Sequence, residues 1–321
     1  MDPFVSKHLH GVSRTYAILV PMLPGRLGDA VGAAYLLMRI VDTLEDAPQL
    51  TVDRRVALLG RLDAALDGDG AAIAELSQPV GDLPAEQALM ADAAQVFQNV
   101  RALTPAYREA VTRCAREMSQ GVCRLIARSA ERGQPYPAVR DAGELREYCS
   151  YVAGTVGEML CAMMGHFLHL PALSRLREVA VELGTGLQLV NILKDCLKDA
   201  RQGRRYLPLS AEGGVAHAEI YRAVIEEARQ SLRRGIEFVL ALPPGARELR
   251  SFCGLPIAWG AMTLARAERC ANGAKIGRGA IRASIQLFGK LAGDDQALRD
   301  WLSRMLGPAP GNAPGAATAA G

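Results

Sequence analysis

The chain has 321 residues, of which 50% are hydrophobic, and its formal net charge is +3 at pH 7. This near-neutral balance gives no sign of a nucleic-acid-binding surface, and the length allows one large domain or two small ones with a sizeable core. Ala, Leu and Arg are frequent and β-branched alternation is scarce, which predicts an all-α protein.

The seven cysteines are scattered along the chain without any C-x-x-C pair. Their odd number and wide spacing indicate reduced thiols in an intracellular protein. The first residues lack a basic head followed by an apolar core, so they do not resemble a secretion signal. No charge-free apolar stretch reaches the roughly eighteen residues that a membrane-spanning helix needs. We therefore expect a cytoplasmic protein.

Helical patterns follow one another along the chain. The first strong one, GRLGDAVGAAYLLMRIVDTLEDA, ends near Pro48, and the amphipathic helices VDRRVALLGRLDAAL and PAEQALMADAAQVFQNVRAL follow, with another beginning near Pro105. DAGELREYCSYVAGTVGEMLCAMMGHFL ends before Pro171, and LSRLREVAVELGTGLQLVNILKDCLKDARQG, a loop and three more helices come after it. We expect one all-helical domain over residues 1–306 and a disordered low-complexity tail over residues 307–321.

Three carboxylates stand within five residues at the end of the first strong helix: Asp42, Glu45 and Asp46. Asp42 and Asp46 share a helix face because they are four residues apart. A helix C-terminus disfavours negative charge, and a like-charged pair costs a further ~0.2–0.5 kcal/mol. The placement therefore opposes stability, and for this motif alone a solvated helix end explains it about as well as a function does.

A second motif, NILKDCLKDA, repeats the arrangement near the end of another helix. Asn191, Asp195 and Asp199 are spaced i, i+4, i+8 and drift slowly around one face, and Lys194 and Lys198 offset part of the charge. Two such motifs among Leu, Ile and Val favour a shared role. Hard oxygen ligands on two facing helices suit Mg²⁺ with a diphosphate on its open positions. The chain lacks a P-loop signature and a G-x-G-x-x-G segment, so a nucleotide cradle is not expected.

Basic residues flank both motifs. Arg39 precedes the first, Lys194 lies within the second, and Arg204 and Arg205 follow it. Such cations neutralise diphosphate oxygens and stabilise a departing diphosphate. For any single one of them, a surface charge is the simpler interpretation.

An ordered set of segments resembles the squalene/phytoene synthases from GVSRTYA to KIGRG: SRTY, YLLMRIVDTLED, YCSYVAGTVGE, LQLVNILKDCLKDARQGRRYLP and CGLPIAWGAMTLA. The resemblance implies a single all-α prenyl synthase fold, with helices around a deep central cavity, and details such as DTLED lean toward squalene synthase. AKIGRG is similar to a segment that helps squalene synthases bind NADPH. Here Lys275 and Ile276 match, whereas Gly277 replaces an arginine and Arg278 follows it.

The resemblance also implies a role for each matching residue. Asp42, Glu45 and Asp46 would bind metal at one wall of the cavity, and Asp195 and Asp199 at the other. The residues that would hold diphosphate, or the phosphate of NADPH, are Ser13, Arg14, Arg39, Lys194, Arg204, Arg205, Lys275 and Arg278. The residues that would face the reacting carbons are Tyr35, Tyr151, Gln188 and Asn191.

The implied function is Mg²⁺-dependent condensation of two farnesyl diphosphates to presqualene diphosphate, followed by reduction with NADPH to squalene. Alternatives within the family omit the reduction and yield phytoene, dehydrosqualene or presqualene diphosphate. An alternative of another class is a non-catalytic helical scaffold, but a scaffold has no reason to tolerate disfavoured carboxylates in both motifs. Because the product is an oil, peripheral contact with the inner face of a membrane is also expected. The sequence leaves the oligomeric state open.

Overall fold

The computed structural model of the protein describes residues 1–208, 215–269 and 276–308. Within these ranges the secondary structure is helical apart from one isolated bridge between Ala138 and Arg205, which confirms the all-α prediction. The α-helices, in chain order, are α1 (Pro3–Val12), α2 (Tyr16–Leu19), α3 (Gly25–Asp46), α4 (Val52–Gly60), α5 (Leu62–Asp67), α6 (Gly70–Leu76), α7 (Pro84–Ala91), α8 (Ala93–Arg101), α9 (Pro105–Glu131), α10 (Ala142–Cys149), α11 (Thr155–Phe167), α12 (Arg177–Arg201), α13 (Val215–Ala241), α14 (Arg247–Ala267), α15 (Arg278–Leu291) and α16 (Asp295–Leu306).

Three predicted helices are each divided. The segment after Pro48 turns at Arg61 into α4 and α5, and the next one turns at Asp92 into α7 and α8. Asp92 leaves the helical conformation at φ −93° and ψ 12°, and its carboxylate lies 2.9 Å from the buried His8 ring. A single π-helical turn, Ser150–Gly154, separates α10 from α11. Tertiary contacts, which local periodicity does not encode, set these breaks.

The long helix α3 carries the first acidic motif into the interior. Its apolar residues are buried on several faces, since Ala30, Leu36, Leu37 and Ile40 are each at most 1% exposed. A helix that is buried nearly all round has no solvent-facing side on which to place charge. In the last turn of α3, Glu45 is therefore buried at 2% exposure, whereas the side chains of Asp42 and Asp46 are 40% and 43% exposed.

Arg55 closes the C-terminal end of α3. This residue is 1% exposed and donates hydrogen bonds to the carbonyl oxygens of Ala47, at 3.1 Å, and Pro135, at 3.0 Å. Its guanidinium carbon also lies 4.7 Å from the centroid of the Tyr136 ring. The last carbonyls of a helix lack intrahelical partners and carry partial negative charge, so a buried guanidinium here stabilises the helix end.

Two glycines allow the backbone of α12 to pack directly against the backbones of the π-helical turn and of α11. A Cβ atom at Gly184 would lie 2.1 Å from the carbonyl oxygen of Ala153, and one at Gly157 would lie 2.0 Å from that of Ala180. A side chain fits at neither position without moving a backbone. The close approach holds α12 against the π-helical turn and sets the position of its next two turns.

The buried apolar side chains form one contiguous cluster that extends from Val5 to Leu306. The last described helix, α16, ends at Leu306, and the predicted tail lies outside the described residues from residue 309 onward. The boundary between domain and tail therefore stays a prediction. Among the described helices, none combines the length and the apolar character needed to cross a bilayer.

We predict that Gly184→Ala destabilises the fold by ~1–3 kcal/mol, as overpacked cores do, because backbone atoms stand in the way of the methyl group. Gly289→Ala in α15 is the matched control, since no heavy atom lies within 4 Å of its added Cβ. The control should be neutral or slightly stabilising. Urea unfolding followed by circular dichroism measures both, and a Gly184→Ala variant as stable as the wild type would contradict the packing account.

Candidate active site

Two joined cavities lie between α3 and α12. The apolar chamber, of about 250 Å³, is lined by side chains such as Met38, Met118, Met159, Phe238 and Phe252. The acidic chamber, of about 330 Å³, is lined by polar and charged side chains. The residues that line both chambers, and so mark their junction, are Arg39, Asp42, Val152, Gln188 and Asn191. A deep apolar space therefore ends in a charged mouth.

Both predicted acidic motifs face the acidic chamber. The end of α3 contributes Asp42 and Asp46, and the end of α12 contributes Asp195 and Asp199. The cations on the same walls are Arg39, Lys194, Lys198 and Arg204. The structure therefore brings together two segments separated by about 150 residues, as expected if they act on one ligand.

The carboxylates of this chamber are incompletely compensated. Burial raises the pKa of Asp42 to about 6, and the guanidinium of Arg39 offsets this only in part. Burial likewise raises the pKa of Asp46 and Asp199, with the guanidinium of Arg204 opposing it in both cases. The Asp42 side chain is 40% exposed, which places it at the chamber surface. A cation entering here would relieve this electrostatic cost.

Glu45 also lines the acidic chamber, although it is only 2% exposed. Its Oε1 atom accepts hydrogen bonds from the hydroxyls of Tyr148 and Tyr206, each at 3.1 Å, and burial raises its pKa well above the usual range. The two phenol rings stack with centroids 5.0 Å apart and planes 13° apart. The structure shows Glu45 as a buried acceptor between two phenols through Oε1, and its predicted role as a metal ligand stays a prediction.

Arg39 stands at the junction of the two chambers. It forms an ion pair with Glu86 and lies 3.9 Å from the carboxylate of Asp42. Glu86 is itself fixed, because it accepts hydrogen bonds from the backbone N–H groups of Asp82 and Leu83 at 2.8 and 3.0 Å. The Nε atom of Arg39 is buried without a hydrogen-bond partner, so this guanidinium keeps an unused donor.

Arg204 was predicted to bind phosphate, but the structure places it between two carboxylates. Its Nε lies 3.4 Å from Asp46 Oδ1, and its Nη2 lies 3.2 Å from Asp199 Oδ1. Arg205 points elsewhere, because its exposed side chain lines a separate surface cleft with Arg132 and Arg140. The predicted phosphate-binding role therefore stays a prediction for Arg204, which lines the acidic chamber, and is corrected for Arg205, which does not.

Tyr151 does not face either chamber. Its ring packs against Gly121, and the guanidinium carbon of Arg124 lies 4.5 Å from the ring centroid. The prediction that Tyr151 faces the reacting carbons is therefore wrong in this structure. Tyr151 lies within the π-helical turn Ser150–Gly154, and Tyr148, which precedes this turn, lines the acidic chamber.

The other residues predicted to face the reacting carbons do reach the cavity. Tyr35 lines the apolar chamber, and the centroid of its ring lies 5.1 Å from that of Tyr16. Burial raises the pKa of Tyr35, and a hydrogen bond with Ser13 opposes this rise in part. Gln188 and Asn191 lie at the junction. Lys194, predicted to bind phosphate, lines the acidic chamber with its Nζ 3.2 Å from Asn191 Oδ1.

The remaining predicted phosphate-binding residues lie away from the junction. Ser13 accepts a hydrogen bond from the backbone N–H of Tyr16 at 2.9 Å, which ties the start of α2. Arg14 is exposed, and so is Arg278 at the first turn of α15, and neither residue lines the two chambers. Lys275 lies outside the described residues.

Sequence reasoning missed four residues that shape the site. Tyr148 stands three residues before Tyr151 in the same quoted segment, and Tyr206 follows the two arginines of GRRYLP, so both were within reach of the motif analysis. Glu86 lies 47 residues from its partner Arg39, and Tyr16 meets Tyr35 across a turn. The local sequence pattern predicts neither of these two contacts.

The donor set of the acidic chamber fits Mg²⁺. In residues 1–208, 215–269 and 276–308, no group of three or more His, Cys, Asp or Glu side chains is already arranged to hold a metal ion. Mg²⁺ does not need such a cage, since it keeps several waters and binds through one or two carboxylates and substrate phosphates. Asp42 and Asp195, which lie on two different helices that line one chamber, match that mode.

Comparison with known proteins shows which family and which enzymes the chain is similar to. The family model for squalene/phytoene synthase matches residues 9–284. The squalene synthase of Schizosaccharomyces pombe is 28% identical over 197 residues, which are 61% of this chain and 42% of that enzyme. The chain therefore spans less than half the length of that relative.

Solved structures show the same fold. The complex of TcSQS with the ligand BPH1237 superposes with a TM-score of 0.80 at 22% identity, over 94% of this chain and 90% of that one. A dehydrosqualene synthase in complex with a ligand gives a TM-score of 0.55 at 18% identity, over 89% and 94%. With the family model covering most of its residues, the chain belongs to the squalene/phytoene synthase family.

Proposed function

We propose that the protein is a prenyltransferase that joins two molecules of farnesyl diphosphate head to head, with Mg²⁺, to form presqualene diphosphate, and then reduces this to squalene with NADPH. The observation that supports it most is the junction of an apolar chamber with an acidic one at Arg39 and Asp42. An isoprenoid diphosphate has the same division into an apolar chain and a charged head.

The acidic chamber would bind the diphosphate heads. Asp42 and Asp195 would hold Mg²⁺, with Asp46 and Asp199 beside them, and the ion would neutralise charge on the diphosphate oxygens. Arg39 keeps a free buried donor and Lys194 lines the same chamber, so both can contact a departing diphosphate. Fixed cations aimed at that developing charge lower the barrier to its release.

The apolar chamber would shield the carbocation left when one diphosphate departs. The double bond of the second substrate attacks this cation, and loss of a proton closes the cyclopropane of presqualene diphosphate. Burial raises the pKa of Tyr16 and of Tyr35, so both phenols stay neutral and offer π faces to a cation. Their apolar surroundings also exclude water, which would otherwise trap the cation.

The reductive step is the finer part of the proposal. It rests on the similarity of the segment around Lys275 and Arg278 to the NADPH-binding segment of squalene synthases, and NADPH would supply a hydride there. Lys275 lies outside the described residues, and Arg278 is exposed away from both chambers. The described residues therefore assign no site to the cofactor.

A second candidate is the non-reductive branch of the family, which yields dehydrosqualene, phytoene or presqualene diphosphate. Gly277 in place of an arginine favours it. A non-catalytic scaffold is the weaker alternative, because four aspartates converge on one chamber at a cost to stability.

We also propose that the protein works in the cytoplasm, in peripheral contact with a membrane. The cysteines of the described residues are all free, which suits a reducing compartment. The exposed face of α15 carries Arg278, Arg282 and Lys290 and no acidic residue, so it complements an anionic lipid surface.

Product analysis tests the proposal directly. Purified protein incubated with farnesyl diphosphate and Mg²⁺ should accumulate presqualene diphosphate, and addition of NADPH should convert it to squalene, as identified by gas chromatography and mass spectrometry. The same hydrocarbon with and without NADPH would instead establish the non-reductive branch. Absence of any Mg²⁺-dependent diphosphate release would favour the scaffold.

We predict that Asp42→Asn and Asp195→Asn each lower Mg²⁺-dependent turnover by at least ~100-fold, since even residues that only orient metal ligands cost 10–100-fold. Both variants should keep the helical circular dichroism spectrum and melt no lower than the wild type, because each removes like-charge repulsion. Asp300→Asn on the exposed face of α16 is the matched control and should keep full activity. Near-normal turnover of either chamber variant would contradict the two-wall metal site.

A further inference from the structure

Arg204 occupies an unusual position for a positive charge. It is 4% exposed and follows α12 on the turn that includes Gly203, at φ +82°. From there its guanidinium reaches Asp46 at the end of α3 and Asp199 at the end of α12. One side chain thus connects the two carboxylate-bearing walls of the acidic chamber.

The contacts of Arg204 leave part of each carboxylate free. Its ion pairs run to the Oδ1 atoms of Asp46 and Asp199, and its Nη1 lies 3.5 Å from the backbone carbonyl oxygen of Asp46. No described contact of Arg204 involves the Oδ2 atom of either aspartate. A cation entering the chamber therefore finds one oxygen of each group available.

A chain of hydrogen bonds ties Arg204 to the opposite side of the chamber. Gln202 accepts a hydrogen bond from Arg204 and donates one to Asp82 Oδ2 at 2.6 Å. The backbone N–H of Asp82 donates to Glu86, which pairs with Arg39. The two guanidinium groups that flank the carboxylates are thus linked through a single polar network around the mouth.

We propose that Arg204 is an internal counter-cation of the metal site. In the metal-free protein it compensates Asp46 and Asp199 and holds the ends of α3 and α12 together, so the two walls are positioned before Mg²⁺ arrives. Arg204 is in this account a positioning residue, not a ligand of the substrate. The proposal rests on the proposed function in that Mg²⁺ is taken as the cation that enters the chamber.

The electrostatics of the chamber require such a charge. The Arg204 guanidinium lies 3.4 Å from Asp46 Oδ1 and 3.2 Å from Asp199 Oδ1, and among the described residues neither aspartate has another ion-pair partner. The side chains of Arg204 and Asp199 are 5% and 14% exposed, so loss of Arg204 leaves a largely buried charge uncompensated, which is more costly than losing a surface pair. A divalent cation bound between the same walls would supply the missing charge, whereas it would not restore lost packing.

The test compares Arg204→Gln with Arg205→Gln, which removes the same charge from the next residue, whose exposed side chain lies outside the chamber. Melting temperatures are measured in a chelator and with saturating Mg²⁺ plus inorganic pyrophosphate. Arg204→Gln should melt ~5–10 °C below the wild type in the chelator. Mg²⁺ with pyrophosphate should recover at least half of that loss, so the rise in melting temperature on adding both should be larger for Arg204→Gln than for the wild type. Arg205→Gln should match the wild type in both buffers.

An equal loss for Arg204→Gln with and without Mg²⁺ would show a merely structural role and overturn the proposal. So would a failure of Mg²⁺ to shift any of the three proteins. If Arg204→Gln does not fold, the double variant Asp199→Asn/Arg204→Gln should fold, because it removes both charges, and failure of both variants contradicts the account. No prenyl substrate is used, so a protein that lacks synthase activity and still shows the predicted response would separate the two proposals.

Discussion

The negative charge at the end of α3 is the constraint on which the site depends. A helix C-terminus, a buried environment and neighbouring carboxylates all oppose ionised side chains there. The structure compensates for them with donors from distant parts of the chain. Arg55 binds the terminal carbonyls, Tyr148 and Tyr206 bind Glu45, and Arg204 binds Asp46. The acidic turn is therefore held in place by residues from at least three other segments.

This support divides the carboxylates between two tasks. Glu45 is the most buried of them and fixes the end of α3 through its hydrogen bonds to the phenols. Asp42 and Asp195 remain at the chamber surface, where their side chains are 40% and 44% exposed. Asp46 and Asp199 share the guanidinium of Arg204. The arrangement keeps charge available to a ligand without leaving the metal-free protein with four unpaired aspartates in one cavity.

Helix patterning and motif spacing predicted the all-α fold and the convergence of the two acidic motifs, because both depend on local periodicity and on a conflict with helix electrostatics that the sequence makes visible. The same reasoning misplaced Tyr151, which lies in a π-helical turn that no periodicity reveals. It also missed the contact of Arg204 with Asp46. A flanking arginine looks alike in the sequence whether it faces a ligand or a buried carboxylate, and only the tertiary contact with Asp46 distinguishes them.

The central claim is that the ends of α3 and α12 form one divalent-cation site at the mouth of an apolar cavity. Anomalous diffraction from crystals grown with Mn²⁺ and inorganic pyrophosphate tests it most directly, because it locates the metal without relying on turnover. The account predicts Mn²⁺ within the acidic chamber, at about the 2.0–2.2 Å typical of carboxylate oxygens, with ligands from both helices. Mn²⁺ bound by one helix alone, or bound outside the chamber, would contradict it.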